Sequence, residues 1–186
     1  VVSDLRLVVP EVFRAKRPIK EVTMAKAQLN NGQSLYAVND LFIGPKSHIS
    51  ARYSIRKGGF EENHSSSGII VSTGLGSTGW LKSLMAGAVG VARGLAGTNL
   101  PIDARSSFAW DADYLCFTVR EPFPSKTSSA SLVFGTITGK ESLILVSQMA
   151  EHGVIFSDGI EKDFLEFNSG TEATITTAER KGQLVV

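Results

Sequence analysis

The segment Gly68 to Ser83, GIIVSTGLGSTGWLKS, constrains the fold more than any other. Gly68-Ile69-Ile70-Val71 is apolar, β-branched and too short for a helix, so it is expected to be a buried strand. From Trp80 onward apolar side chains recur at Trp80, Leu84, Ala88 and Val91, with Leu81, Met85 and Val89 beside them. That spacing predicts a helix. Between strand and helix, three glycines and two hydroxyl residues fall within Gly74–Gly79. Ser77 or Thr78 is expected to cap the helix, and the glycines let a ligand approach the backbone closely. Free N–H groups at a helix start carry partial positive charge, so such a turn can cradle a phosphate or another polar ligand.

A chain of 186 residues can bury a substantial core and is expected to form a single domain over 1–186. Its 42% hydrophobic and 20% charged content is that of a globular chain, not a disordered one. No apolar run is long enough to cross a bilayer as a helix, so no membrane partner is expected. Val1-Val2 opens the chain without an initiator methionine, as if cut from a longer polypeptide. The single cysteine, Cys116, has no internal disulfide partner, which favours a cytoplasmic setting, and it sits where a core residue belongs. Net charge is only +1, yet residues 1–60 hold ten Lys/Arg against four Asp/Glu. The basic clusters Arg14/Lys16/Arg17/Lys20 and Arg52/Arg56/Lys57 are not interleaved with aromatics. They are therefore expected to be solvated faces, with no nucleic-acid partner.

Most of the remaining chain reads as strands separated by glycine and proline turns. Glu21–Leu29 alternates with a one-residue slip, Asn30-Asn31-Gly32 turns, and Ser34–Ile43 returns as one strand until Gly44-Pro45 breaks it. Arg56-Lys57-Gly58-Gly59 marks a further turn, and Asn63–Ser67 reads as a polar connector. After the helix, which Gly94–Asn99 ends, strands are expected at Tyr114–Val119, Ser131–Thr138, Leu143–Met149, Val154–Ser157, Phe164–Phe167 and Thr174–Thr177. Asp158-Gly159 carries a type I′ hairpin signal. The expected fold is mainly β with one principal α-helix, a layered antiparallel β domain.

Gly74, Gly76 and Gly79 fit G-x-G-x-x-G, but a dinucleotide unit also needs a second parallel strand with an acidic residue about 20 positions on. Asp103 lies at that distance, whereas Gly97–Ile102 is a poor strand. A P-loop is excluded because no lysine follows the glycines. His48, His64 and His152 have no metal-ligand spacing and are expected on the surface or in loops, so no metal ligand is assigned. Asn39 and Asp40 sit together in an otherwise apolar strand, and adjacent strand residues point to opposite faces. They are either inter-strand anchors or ligand contacts, since Asn both donates and accepts and Asp can accept from ribose hydroxyls.

Ala37-Val38-Asn39-Asp40 resembles the Asn-Glu/Asp motif of NAD kinases, and Gly68–Trp80 resembles their glycine- and threonine-rich segment. That segment usually reads Asp-Gly, an apolar run, then Ser-Thr-Pro-Thr-Gly-Ser-Thr-Ala-Tyr. Asp158-Gly159 resembles a further recurring feature. The match runs from about residue 20 to the end and corresponds to the family's C-terminal β-rich domain. The resemblance implies a nucleotide or dinucleotide ligand, with Asn39 and Asp40 touching it. Ser77, Thr78, Gly79 and Trp80 would line its pocket, and Ser83 would reach the ribose or phosphate side. It further implies ATP and Mg²⁺, NAD as acceptor, phosphorylation of the adenosine 2′-hydroxyl, and assembly as homodimers or homotetramers.

The family's catalytic Gly-Gly-Asp-Gly motif belongs to its N-terminal domain and is absent from this chain; Gly58-Gly59 is followed by Phe60. No catalytic residue is therefore assigned here. Ser67 replaces an aspartate, Gly74 a proline and Leu75 a threonine, and Arg120–Thr127 takes the place of a Pro-His-Ser-Leu-Ser segment. Ser67 and Leu75 stand where adenine-reading groups are expected. A non-catalytic nucleotide-binding or sensory domain of the same fold is the other reading.

Overall fold

The computed structural model describes residues 4–97 and 107–186. Two six-stranded sheets, antiparallel throughout, pack face to face. One is ordered β2-β1-β12-β9-β4-β5, from strands β1 (Ile19–Leu29), β2 (Ser34–Ala37), β4 (Ala51–Lys57), β5 (Phe60–Ser66), β9 (Leu143–Ser147) and β12 (Glu172–Val185). The other is ordered β11-β10-β3-β6-β7-β8, from β3 (Asp40–Pro45), β6 (Ile69–Ser72), β7 (Tyr114–Val119), β8 (Phe134–Thr138), β10 (Gly153–Ser157) and β11 (Phe164–Glu166). We call these the first and second sheets. The core between them takes alternate residues from both, among them Ala25, Ala27, Tyr53, Ile55 and Leu145 from the first and Ile43, Val71, Phe117 and Ile155 from the second. Fully burying each such side chain contributes about 1.5–3 kcal/mol. The mainly β fold with one principal helix is therefore as expected, and Cys116 is buried in β7, where burial pushes its thiol up to about 11.

The slip in the first strand is a register shift between Thr23 and Ala25 in the β1–β12 pairing. It moves the buried phase from Val22 to Thr23, Ala25, Ala27 and Leu29. The strand expected over Ser34–Ile43 is two strands. Β2 pairs with β1 in the first sheet, whereas β3 pairs with β6 and β10 in the second. The chain changes sheets at Val38-Asn39. The cause lies far along the sequence: the Asp158 carboxylate accepts from the N–H groups of Val38 (3.0 Å), Asn39 (2.6 Å) and Asp40 (3.2 Å). Backbone donors that would otherwise need ladder partners are satisfied there by one side chain. Asp158 and Gly159 both have positive φ, +54° and +75°, as the type I′ signal requires. Ile160 N–H closes that turn onto the Ser157 carbonyl at 2.9 Å, but the returning strand starts only at Phe164.

Other boundaries differ for identifiable reasons. Gly44-Pro45 does not end β3, which pairs with β10 through Gly44↔Val154 and Pro45↔Gly153. Gly44 is tolerated because Gly68 of the second sheet lies against it: a Cβ on Gly44 would stand 3.1 Å from the Gly68 Cα. Asn63–Ser67 is no connector but largely strand, running to Ser66 in β5. Β12 extends well past Thr177, its polar end paired with Ile19–Thr23, of which Ile19–Glu21 are exposed. A helix not expected from the sequence, α1 (Leu5–Phe13), precedes β1 and contributes no buried residue. The principal helix, α2 (Trp80–Ala96), lies on the outer face of the second sheet through its first turns, with Trp80 and Leu84 against Phe42, Ile70 and Val154. Asp103, weighed as a dinucleotide marker, lies outside the described residues, as do Val1 and Val2. Among the described residues no helix is long and apolar enough to cross a membrane.

If Asp158 closes the crossing, Asp158→Ala removes three charge-assisted acceptor contacts and is expected to cost about 2–4 kcal/mol. Asp158→Asn keeps one carbonyl oxygen and tolerates positive φ, so its loss in a denaturant melt should be smaller.

Candidate functional site

The crossing residues and the glycine-rich turn are brought into direct contact. After β6 the Thr73 hydroxyl donates to the Val38 carbonyl (2.6 Å) and accepts from Gly76 N–H (3.2 Å). Thr73 N–H donates to the Asn39 carbonyl at 2.9 Å. Gly76 packs so closely that a Cβ there would overlap the Asn39 backbone, and one on Gly74 would overlap the Ala109 carbonyl. Glycine at these positions answers a demand for close approach, not for positive φ. The two motifs are thus adjacent in space, although the sequence separates them by a hairpin and more.

The side chains at the helix start divide into ties and exposed groups. Ser77 is fully buried; its hydroxyl donates to the Gly74 carbonyl at 2.7 Å and accepts from Phe108 N–H at 3.2 Å. It fastens the turn to the segment before β7. Neither Ser77 nor Thr78 caps α2: they lie in a 3-10 turn (Gly76–Thr78), and Gly79 is the N-cap, without a side-chain bond. The tight turn places both hydroxyl residues before the capping position. Thr78 and Gly79 are exposed, Trp80 is half-buried, and the exposed Ser83 hydroxyl reaches back to the Gly79 carbonyl at 3.5 Å.

Asn39 is exposed, and its side chain makes no hydrogen bond among the described residues. Asp40 opens β3 on the same face as Phe42, opposite Ser72 of β6. One of its carboxylate oxygens is buried without a partner. Burial raises its pKa to about 6, the Ser72 hydroxyl opposes that shift, and the Asp158 charge adds to it.

Beside this corner a cavity of about 810 Å³ opens over the outer face of the second sheet. Phe42, Val154 and Phe156 line it, with Trp80 at one side and Ser66, Ser67 and Arg120 on another. Phe42 and Phe156 are 4.8 Å apart between ring centroids, and the Trp80 ring lies parallel to Phe42 at 5.9 Å. The volume and the mixture of aromatic and polar groups suit a nucleotide-sized ligand. Of the residues implied by the resemblance, Trp80 lines this cavity and Asp40 lies along the same strand face. Phe42 and Phe156 carried no signal of this, because apolar strand residues give no sign that their outward side faces a cavity.

A buried polar chain behind the cavity was also missed. His64, expected at the surface, is 2% exposed. Its Nε2 is 2.6 Å from a Glu62 carboxylate oxygen and its Nδ1 is 3.4 Å from the Tyr53 hydroxyl. Tyr53 and Ser66 hydroxyls are 2.9 Å apart, and Ser66 accepts from Gly68 N–H at 3.0 Å. Burial alone would raise the Glu62 pKa. The bond from His64 and those from the Leu132 and Ser131 N–H groups outweigh it and hold the pKa down. A signal was present, since Tyr53 and His64 stand equally far either side of the Gly58-Gly59 turn and so face each other. Among the described residues no group of three His, Cys, Asp or Glu side chains is placed to hold a metal ion.

No family model and no curated protein matches the chain. Solved structures do. An NAD kinase from Archaeoglobus fulgidus in complex with ATP superposes with a TM-score of 0.64 at 13% identity, over 99% of this chain and 61% of that one. The fold is that of the NAD kinases. Yeast NADH kinase complexed with NADH gives a TM-score of 0.61 at 15% identity, over 95% of this chain and 46% of the kinase. The chain thus spans about half to three-fifths of the NAD kinase chains it superposes on, and at this identity the likeness establishes the NAD kinase-like fold.

The raised pKa of Asp40 fixes the sign of a pH effect. Between about pH 4 and 6 the unfolded chain releases this proton while the native chain keeps it, so Asp40 makes stability fall as pH rises through that window. Asp40→Asn is therefore expected to melt above the parent protein at pH 8 and together with it at pH 4, measured by thermal scans at both.

Proposed function

We propose that this chain is the acceptor-binding domain of an ATP-dependent NAD kinase-like phosphotransferase, with NAD as acceptor. The observation that carries the reading is the junction of Asn39-Asp40 with the Gly74–Gly79 turn beside an aromatic-lined cavity, within an NAD kinase-like fold. Among the described residues Asn39 offers an exposed amide without a hydrogen-bond partner, and Asp40 a buried carboxylate oxygen that also lacks one. Thr78, Gly79 and Ser83 stand exposed around the start of α2, with Trp80 half-buried beside them. Ser77 acts on the ligand through the turn it fastens.

In this reading the domain binds and orients the dinucleotide, and phosphoryl transfer rests on positioning and electrostatic stabilisation. ATP would supply the phosphoryl group, and Mg²⁺ would accompany it. The catalytic carboxylate would come from a Gly-Gly-Asp-Gly segment outside this chain, and assembly would be as a homodimer or homotetramer in the cytoplasm.

Two measurements test this. The 186-residue chain, given ATP, Mg²⁺ and NAD in a coupled assay, should form no NADP above blank; turnover would overturn the division of labour. In the full-length protein Asn39→Ala should weaken NAD binding by about 1–3 kcal/mol with an almost unchanged melting temperature. A fall in stability with binding lost only in proportion would make Asn39 a strand anchor.

A further inference from the structure

Arg120, at the end of β7, is tied to the cavity wall by its backbone alone. Its N–H donates to the Gly68 carbonyl at 2.8 Å, and its carbonyl accepts from Ser67 N–H at 2.9 Å. Arg120 is half-buried as a residue, and its guanidinium carbon stands 5.4 Å from the centre of the Trp80 ring. Among the described residues this guanidinium has no carboxylate within ion-pair distance and no hydrogen bond to protein. A guanidinium has five N–H donors and no acceptor, and leaving it without an acceptor in a partly desolvated place is costly. The aromatic face attracts the cation only weakly and gives the donor fork no acceptor oxygen. The indole beside it also limits the orientations of the fork, so less order must be imposed when a ligand arrives.

The rest of the cavity suits the same kind of ligand. Lys46 lies 3.2 Å from the centre of the Phe164 ring, likewise without a carboxylate within ion-pair distance, so a second donor-only group edges the cavity. The wall between them carries Ser66 and Ser67, and the floor is the Phe42–Phe156 pair. Glu121 and Glu161 also line the opening, but both are exposed, where water and salt screen them more than they screen the half-buried Arg120.

Resting on the nucleotide-binding reading above, the geometry points to Arg120 as the phosphate-reading residue of this cavity. The ligand's planar ring lies on the Phe42–Phe156 floor, and its anionic phosphate takes the free edge of the guanidinium held by Trp80. Trp80 is then a positioning residue for Arg120. The class of ligand selected is a phosphate-bearing nucleotide, in preference to the corresponding nucleoside.

Calorimetric titration of the full-length protein with NAD, ADP and adenosine tests this. NAD adds a pyrophosphate and a nicotinamide riboside to adenosine, and ADP the pyrophosphate alone, so a loss that belongs to the phosphate appears with ADP as it does with NAD. Arg120→Gln should weaken NAD and ADP at least tenfold and change adenosine less than twofold. Arg120→Lys, which keeps the charge without the fork, should fall between. Phe42→Leu should weaken all three ligands alike. Because the strand contacts of Arg120 are made by its backbone, the Arg120 variants are expected to melt with the parent protein. Equal losses for all three ligands in Arg120→Gln, a loss with NAD but not with ADP, or no loss at all, would overturn the assignment while leaving the cavity a nucleotide site. Failure of the parent protein to bind any of the three would overturn the underlying reading and this inference with it.

Discussion

One carboxylate accepting from three consecutive backbone N–H groups holds the functional corner together. Where the chain leaves the first sheet for the second, the donors of Val38, Asn39 and Asp40 all face Asp158. With that arrangement in place, the Asn39 carbonyl is free to receive Thr73 N–H, and Gly76 can close on the same backbone. The carboxylate also imposes a cost. Its charge adds to the burial that already disfavours ionised Asp40, so the closure of the crossing and the tension at the site are two effects of one residue.

The second sheet is buried on both faces where it matters. Its inner side belongs to the sandwich core, and its outer side, through Phe42, Ile70 and Val154, takes the first turns of α2. This makes β3 almost wholly buried and leaves its outward Phe42 as both packing surface and cavity lining. Gly44 and Gly68, in contact beneath that surface, let neighbouring backbone come close enough for Phe42 to lie across them. Behind the wall, the Glu62–His64–Tyr53–Ser66 chain satisfies polar groups in a place where leaving one unpaired would cost about 1–3 kcal/mol. The pinned Gly68 N–H is its last member.

The strands, the principal helix and the glycine-rich turn between them were legible because periodicity and glycine punctuation are local signals. The one-residue slip in β1 was legible for the same reason, as a broken alternation. Ser34–Ile43 was not legible as two strands, since nothing within those residues shows that a carboxylate more than a hundred positions later will capture their N–H groups. Gly44-Pro45 looked like a stop because proline lacks a donor, yet at this position the ladder with β10 does not require one. His64 looked like a surface residue because composition around it is polar; its burial follows from hairpin register, a relation between strands. Capping by Ser77 or Thr78 failed because an intervening 3-10 turn shifts the helix start to Gly79. The cavity was the least legible part, as it is made by outward faces of strands that read as ordinary core.

The span of the Asp158 contacts has a kinetic meaning. Its partners lie 118 to 120 positions earlier in the chain, so the crossing cannot close by any local step. Closing so long a loop costs entropy before it gains any contact, and such pairings form late. During synthesis, the first sheet's early hairpins and the helix can exist before residue 158 has been added, but the corner that joins Asn39 to the glycine-rich turn lacks its fastener until then. In the proposed function, competence to bind would therefore arrive near the end of folding, once the two sheets have found each other.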